Sequence, residues 1–308
     1  MTTEALSPPR VAARGALSRA FAGHAGPLAV VCLALLVLWY LGAVWLNAPV
    51  LIDGYERRDT EWSLARLAGD AMAMERPVLP APHQVVAELD RSILGYSITS
   101  KRSLVYHAWV TLSSTLLGFV MGTVLGILLA VGIVHLRTLD RSLLPWVIAS
   151  QTIPILAIAP MIVVVLGNIG FTGLLPKALI SMYLCFFPVT IGMVKGLRSP
   201  DPLQRDLLST YSAGTAQVFW KLRWPSSMPF LFASLKVAIA ISLVGAIVGE
   251  LPTGAQAGIG ARLLVGSYYG QTVQIWAALI TAAAMAGLLV AAMGGLERLV
   301  LRRMGAQP

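Results

Sequence analysis

Residues able to do chemistry are scarce in this chain, and the one that stands out is Glu250, an acid that closes the charge-free run Val237–Gly249. A carboxylate at the edge of an apolar segment can form part of an outer gate, contact a protein outside, or cap the backbone N–H groups of the Gly-rich stretch that follows. The four histidines, His24, His83, His107 and His135, are scattered and form no HExxH pair. Cys32 and Cys185 lie inside apolar runs, where free cysteine behaves as a small hydrophobe, and they offer neither a disulfide framework nor a metal spacing. No His, Asp or Ser constellation on facing segments supplies a nucleophile and its base, which argues against an embedded enzyme. The uncharged polar residues Gln151, Thr152, Tyr183 and Thr190 have two readings: they line a pathway for a small polar solute, or they hydrogen-bond between helices.

These residues sit in a chain that is 57% hydrophobic and only 12% charged, with a mean hydropathy of +0.76. Soluble domains are about a quarter charged, so the composition predicts an integral membrane protein, all-α, with about six transmembrane helices. The formal charge of +9 does not indicate nucleic acid, because the basic residues sit at the ends of apolar runs rather than among exposed aromatics.

A cytoplasmic segment over 1–27, carrying Arg10, Arg14 and Arg19, precedes the first span, 28–46, which reads as a retained anchor rather than a cleaved signal. Trp39, Tyr40 and Trp45 mark its far end as interfacial. An extracytoplasmic excursion over 47–103 follows; from Asn47 to Arg102 it holds seven Lys/Arg and eight Asp/Glu, and its last part, HQVVAELDRSIL, has the spacing of a short amphipathic helix. The five-helix core runs over 104–296. Its first span lies within Trp109–Val134, where Ser114, Gly118, Gly122, Gly126 and Ala130 recur every four residues and predict close helix packing. The apolar run Ser142–Pro176 is broken by Pro145, Pro154, Pro160 and Gly167; it predicts a kinked first helix, then a span near Ile155–Leu166 buried in the bundle. Ala178–Val194 is the next span. The fifth extends over about Phe230–Leu251, with Lys236 within snorkelling reach of one face and Glu250 near the other. PTGAQAGIGARLLVGSYYGQT reads as a Gly-rich hairpin, Val273–Leu296 as the sixth span, and 297–308 as a basic cytoplasmic tail.

Six spans put both termini on one side, and 13 of the 23 basic residues then fall on that side, which the positive-inside rule makes cytoplasmic. The loop Gly196–Pro229 joins them there. It is the longest polar interruption of the second half, and Tyr211, Val218, Phe219 and Leu222 share one side of a short helix opposite Gln217 and Lys221. Such a segment is either a helix offered to a partner or a solvated connection.

In this loop the chain resembles the membrane subunits of bacterial ABC importers, within them the nitrate, sulfonate and taurine type permeases. Their coupling pattern E-A-A-x3-G-x9-I-x-L-P falls on Asp206, Leu207, Leu208, then Ser212, with Leu222 and Trp224 ahead of Pro225. The acid is shortened from Glu to Asp206, leucines replace both alanines, and the family's Gly-Ala-Ser reads Ser212-Ala213-Gly214. Ile153-Pro154 with Pro160, Phe186-Phe187-Pro188, Gly196-Leu197, Pro225 with Pro229, and Val248-Gly249-Glu250-Leu251 followed by Gly258-Ile259-Gly260 keep the family's order. The resemblance covers Leu79–Leu296.

The resemblance implies a type I importer permease core in the bacterial inner membrane, acting by alternating access and fed by an extracytoplasmic solute-binding protein. The chain has no G-x-x-x-x-G-K-[ST] phosphate loop, so it holds no cofactor itself, and ATP and Mg belong to a separate dimeric ATPase. A second permease copy, as a homodimer, completes the pathway. Asp206, Ser209, Tyr211, Ser212, Ala213, Gly214, Phe219, Trp220, Leu222 and Pro225 are the implied coupling residues, with a rigid helix near Ser209–Trp220 as lever and Tyr211, Phe219 and Trp220 as its apolar anchors. No Lys or Arg lies securely at a span centre, so a neutral, pyrimidine-like heterocycle stands beside an anion such as nitrate, a sulfonate or taurine as the solute. An ATP-independent carrier or channel is the competing class; the sequence has no inverted repeat and no mid-span acid or base for ion coupling.

Overall fold

The structure, a computed structural model, describes residues 25–252 and 257–305. Arg10, Arg14 and Arg19 lie outside the described residues. Among those described, every regular element is helical. Five helical stretches are long and apolar enough to cross a membrane, or six if a pair bent by 98° counts as one.

The chain divides into two compact units, one over 1–84 and one over 85–308. In the first, α1 (Ala25–Arg57) runs eleven residues past the expected end at Leu46 and tolerates Pro49 inside it. The continuation is fixed by side chains on its last turns. Asn47, fully buried, donates through Nδ2 to the carbonyls of Ala71 (3.3 Å) and Leu79 (2.9 Å) and accepts through Oδ1 from the N–H groups of Val78 (2.7 Å) and Leu79 (3.2 Å). Tyr55 donates to Asp70 of α2 (Leu64–Ala73), whose first turn is capped by Ser63. The excursion therefore begins as helix and folds back on α1, because its polar groups find partners there.

The second unit takes in most of α3 (Pro82–Ile93) and then α4 (Leu104–His135), α5 (Arg137–Ser150), α6 (Ile155–Asn168) and α7 (Leu174–Leu197). Next come α8 (Pro202–Thr210), α9 (Thr215–Val218), a π-helical turn (Phe219–Arg223), α10 (Trp224–Glu250), α11 (Ile259–Tyr268) and α12 (Thr272–Arg303). From Thr215 to Glu250 the chain is one continuous helical stretch. Helix α7 is central. Gly118, Gly122 and Gly126 of α4 face its Ser181, Cys185 and Val189 so closely that a Cβ at Gly122 would lie 2.8 Å from the Cys185 Cβ. Ser114 and Ala130 continue that buried face. Ser181 also reaches α10, donating to the Ser242 carbonyl (2.5 Å). Ile133, Val189, Met193, Leu197, Leu235 and Ile239 form the main core, and Lys236 pairs with Glu297 of α12.

Two expectations are corrected. The proline-broken segment is not buried: only Ala159 of α6 is, while Leu156, Met161, Val164 and Val165 are exposed. Two carbonyls freed by the bend are taken by the turn itself, Ile148 by the Gln151 N–H and Ala149 by the Thr152 N–H, and that of Ser150 by the Tyr183 hydroxyl of α7, so one neighbouring helix is enough. The Gly-rich stretch is not a hairpin; from Ile259 it is helix α11, whose first N–H groups are satisfied by side chains from elsewhere.

Candidate functional site

Two regions of the second unit bring polar and exposed apolar side chains together, at the two ends of the 215–250 stretch. At the far end, Glu250 is fully buried and Lys177 nearly so, with Nζ 3.8 Å from Oε1. Thr111 of α4 donates to the Glu250 carboxylate (2.9 Å to Oε1) while its oxygen accepts from the Ile259 N–H (2.8 Å). The Gly260 N–H donates to Oε2 at 2.7 Å, the Gly258 N–H to Nδ1 of His107 at 2.9 Å, and Lys177 to the Ala257 carbonyl at 3.2 Å. His107 Nδ1 accepts, so its proton sits on Nε2, which lies 2.9 Å from the Lys101 carbonyl.

Three successive N–H groups at the start of α11 are thus met by three side chains from two other helices. The carboxylate also faces the positive end of α11, which favours it further. Gly258, at φ +128°, and Gly260 are glycines because a Cβ on either would run into Glu250. The arrangement clasps α4, α7, α10 and α11 together. It offers no free nucleophile, and among the described residues no group of His, Cys, Asp or Glu is placed to hold a metal.

At the near end, Asp201 caps α8 by accepting from the Leu203 N–H (2.8 Å), with Pro202 pre-set at its first position. Helix α8 stops at Tyr211. There Ser212 takes φ +52°, its N–H donates to the Ser209 carbonyl (2.9 Å), and the Ala213 N–H reaches back to Leu208 (3.0 Å). This is the two-bond C-terminal closure that usually carries glycine at its left-handed position. Gln217 then accepts from the Gly214 N–H (3.1 Å) and starts α9.

The expected single lever over Ser209–Trp220 is therefore corrected to two pieces. Only the part from Thr215 onward is continuous with α10. Tyr211 (77%) and Trp220 (62%) are exposed, as are Leu203, Leu207, Asp206, Ser209, Ser212 and Gly214; Ala213, Leu222 and Pro225 are half-buried. Phe219 differs from its neighbours: it packs on the main core, edge-on to His135 at 5.3 Å and tilted against Trp224.

Of the polar residues on the apolar helices, Gln151 and Thr152 are exposed in the α5–α6 turn. Thr190 is buried and bonds its own helix at Phe186 (2.7 Å), and Tyr183 donates to the Ser150 carbonyl. The structure does not gather these four into one site. It adds three residues that sequence reasoning did not single out, His107, Thr111 and Lys177. The signal available was the i, i+4 spacing of His107 and Thr111 on one face of α4.

Residues 122–306 match the family described as the binding-protein-dependent transport system inner membrane component. The chain belongs to this family of membrane permeases. The permease is 33% identical over 184 residues to the formylaminopyrimidine transport permease protein ThiX of Halalkalibacterium halodurans, covering 59% of this chain and 68% of the relative. It is 31% identical over 228 residues to the riboflavin transport system permease protein RibX of Chloroflexus aurantiacus, covering 73% and 80%. The putative aliphatic sulfonates transport permease protein SsuC of Bacillus subtilis is 24% identical over 237 residues, covering 77% and 82%.

Proposed function

We propose that this permease passes a small neutral nitrogen heterocycle, of pyrimidine or flavin type, inward across the bacterial inner membrane. A separate ATPase dimer drives it from the cytoplasm and a solute-binding protein feeds it from outside. The observation that carries the ATP-driven reading is the elbow at Leu203, Leu207, Tyr211 and Trp220, apolar side chains held outward at the tip of a folded helix–turn–helix between two membrane-length helices. Exposed apolar side chains on a rigid scaffold are the usual form of a docking surface. The elbow then faces the cytoplasm with both termini, on the weight of the basic residues.

Movement of the ATPase displaces the elbow, and the 215–250 stretch carries the displacement as a rod. Between Trp220 and Glu250 that rod is about 45 Å long at 1.5 Å per residue. Its far end holds α11 through Glu250 and Gly260, so tilting it re-aims α11 and the start of α12, switching the pathway between its two openings in a homodimer. The heterocycle is favoured over an anion by two observations. The buried cation Lys177 is committed to Glu250, and Lys236 is committed to Glu297, so neither is offered to an anionic solute. The more similar relatives are those named for a formylaminopyrimidine and for riboflavin, while the relative named for sulfonates is more distant.

The test is to purify the permease with its ATPase and binding protein and to identify, by mass spectrometry, the solute released when the binding protein is denatured. A pyrimidine or flavin that stimulates ATP hydrolysis in proteoliposomes supports the reading. Taurine or another sulfonate in the binding protein overturns the solute class. Uptake that proceeds with no ATPase bound overturns the energy source and favours an ATP-independent carrier.

A further inference from the structure

Two cavities meet at the end of α7 and share one residue, Arg198. One, of about 340 Å³, is walled by the guanidinium-bearing side chains of Arg198, Arg205 and Arg223 beside Val134 and Leu197. The other, of about 510 Å³, is an apolar groove between α5, α7 and α10, walled by Leu144, Ile148, Ile191, Val194 and Phe230, with Lys195 and Arg198 at its polar end. Arg198 is paired with Asp140 at 2.8 Å. Among the described residues Arg205 and Arg223 have no carboxylate within ion-pair distance, and Lys195 lies over the Phe230 ring at 5.9 Å.

Basic residues at the end of a membrane helix are ordinary, and singly they need no ligand. The difference here is convergence: arginines from the end of α7, from α8 and from the turn before α10 line one cavity. Guanidinium forks match phosphate oxygens bidentately. The adjoining groove runs from Arg198 back to Ile191, about 10 Å along α7 into the span. A free anion fills the first cavity and leaves the second empty. An acidic protein segment has no use for an apolar slot at membrane depth. A molecule with a phosphodiester at one end and an acyl chain at the other fills both.

We propose that this junction binds one anionic phospholipid of the phosphatidylglycerol type, its phosphate on the unpaired Arg205 and Arg223 beside the Asp140-paired Arg198, and one acyl chain along Ile148 and Ile191. Basic pockets between membrane helices on the cytoplasmic side are suited to such headgroups. The site lies beside the α8 elbow, so the lipid braces the base of the segment that meets the ATPase. The assignment holds whatever the solute is.

The experiment is native mass spectrometry of the full-length permease after exchange into equimolar phosphatidylglycerol and phosphatidylcholine with identical acyl chains. The retained lipid is expected to be enriched about tenfold in phosphatidylglycerol, and Arg205→Gln/Arg223→Gln to bring that enrichment to within about twofold of unity. Ile148→Trp, at an exposed groove position that the fold does not depend on, is expected to lower retention with every cation in place. Equal retention of the two lipids, unchanged enrichment in Arg205→Gln/Arg223→Gln, or unchanged retention in Ile148→Trp would overturn the proposal. So would displacement of the lipid by millimolar inorganic phosphate, which would make the site one for free anions. Loss of enrichment when the ATPase binds would assign the arginines to a partner's carboxylates instead.

Discussion

Glu250 and Lys177 face each other at 3.8 Å with 0% and 8% of their side chains exposed, yet the shorter bonds of the carboxylate go to Thr111 and Gly260. Removing the lysine leaves a buried carboxylate that keeps the hydrogen bonds from Thr111 and Gly260 and loses the charge of Lys177. Lys177→Met is expected to lower stability by on the order of 3 kcal/mol, the range for one partner of a broken buried pair. Lys177→Met with Glu250→Gln should lose less than the two single changes summed. Thermal melts of the four proteins in detergent measure this cycle, and strict additivity would show that the pair contributes nothing of its own. For Glu250→Gln alone, protein level and melting temperature should fall before turnover per surviving molecule does, as a clasp requires and a gate does not.

The glycine face of α4 gives a sharper contrast between positions. A Cβ at Gly118 would overlap both the Ser181 side chain and the Ala178 carbonyl oxygen of α7, and backbone cannot rotate away. Gly118→Ala should destabilise by about 1–3 kcal/mol, as overpacking of a close contact does. Gly287, inside α12, has open space around it, so Gly287→Ala should leave the melting temperature unchanged or raise it slightly through helix propensity. Equal effects at the two sites would remove the α4–α7 contact as the reason for the stripe.

Ser212 explains a departure from the family pattern. The position where the coupling pattern has glycine is the one that adopts φ +52° at the end of α8, and serine there bears a steric penalty of about 1–2 kcal/mol that glycine does not. Ser212→Gly is therefore expected to stabilise the elbow and Ser212→Val to loosen it. Amide exchange over Leu207–Ala213 reports this directly, slower in the first variant and faster in the second. Faster exchange in the glycine variant would mean that the left-handed turn is not what closes α8.

How much of the fold is legible in the sequence depends on where each partner sits in the chain. The membrane class, the helical spans and the small-residue stripe follow from composition and a four-residue period, both local properties. The continuation of α1 past Leu46 is hidden because what secures it, Asn47 against Ala71, Val78 and Leu79, lies 24 to 32 residues away. The Gly-rich segment reads as a hairpin because its cap is remote: Thr111 is 148 residues before the Ile259 N–H that it receives. Helix α6 reads as buried because prolines in lipid need partners, and the sequence does not show that Tyr183 and a local turn supply them. Glu250 is visible as a residue but ambiguous in role, since capping, gating and docking all use a carboxylate.

The elbow yields the prediction that bears most directly on function, because three aromatics close in sequence have different surroundings. Tyr211 is 77% exposed and Trp220 62%, whereas Phe219 packs into the core against His135 and Trp224. Truncating Tyr211 removes contact area for a partner and little internal packing; truncating Trp220 also removes ring contacts to Phe219 at 5.1 Å and Trp224 at 5.7 Å, and truncating Phe219 opens a void beneath the turn. Tyr211→Ala should leave the melting temperature of the isolated permease within about 1 °C, as surface changes do, and Trp220→Ala should lower it less than Phe219→Ala does, while each of the two weakens ATPase binding by about 2 kcal/mol, the scale of an interface hot spot. Phe219→Ala should lower the melting temperature first and impair coupling only through that loss. Solute-stimulated ATP hydrolysis, measured beside a melt for each variant, separates the two patterns. If Tyr211→Ala and Trp220→Ala kept full stimulation, the docking surface would have to be sought away from the elbow.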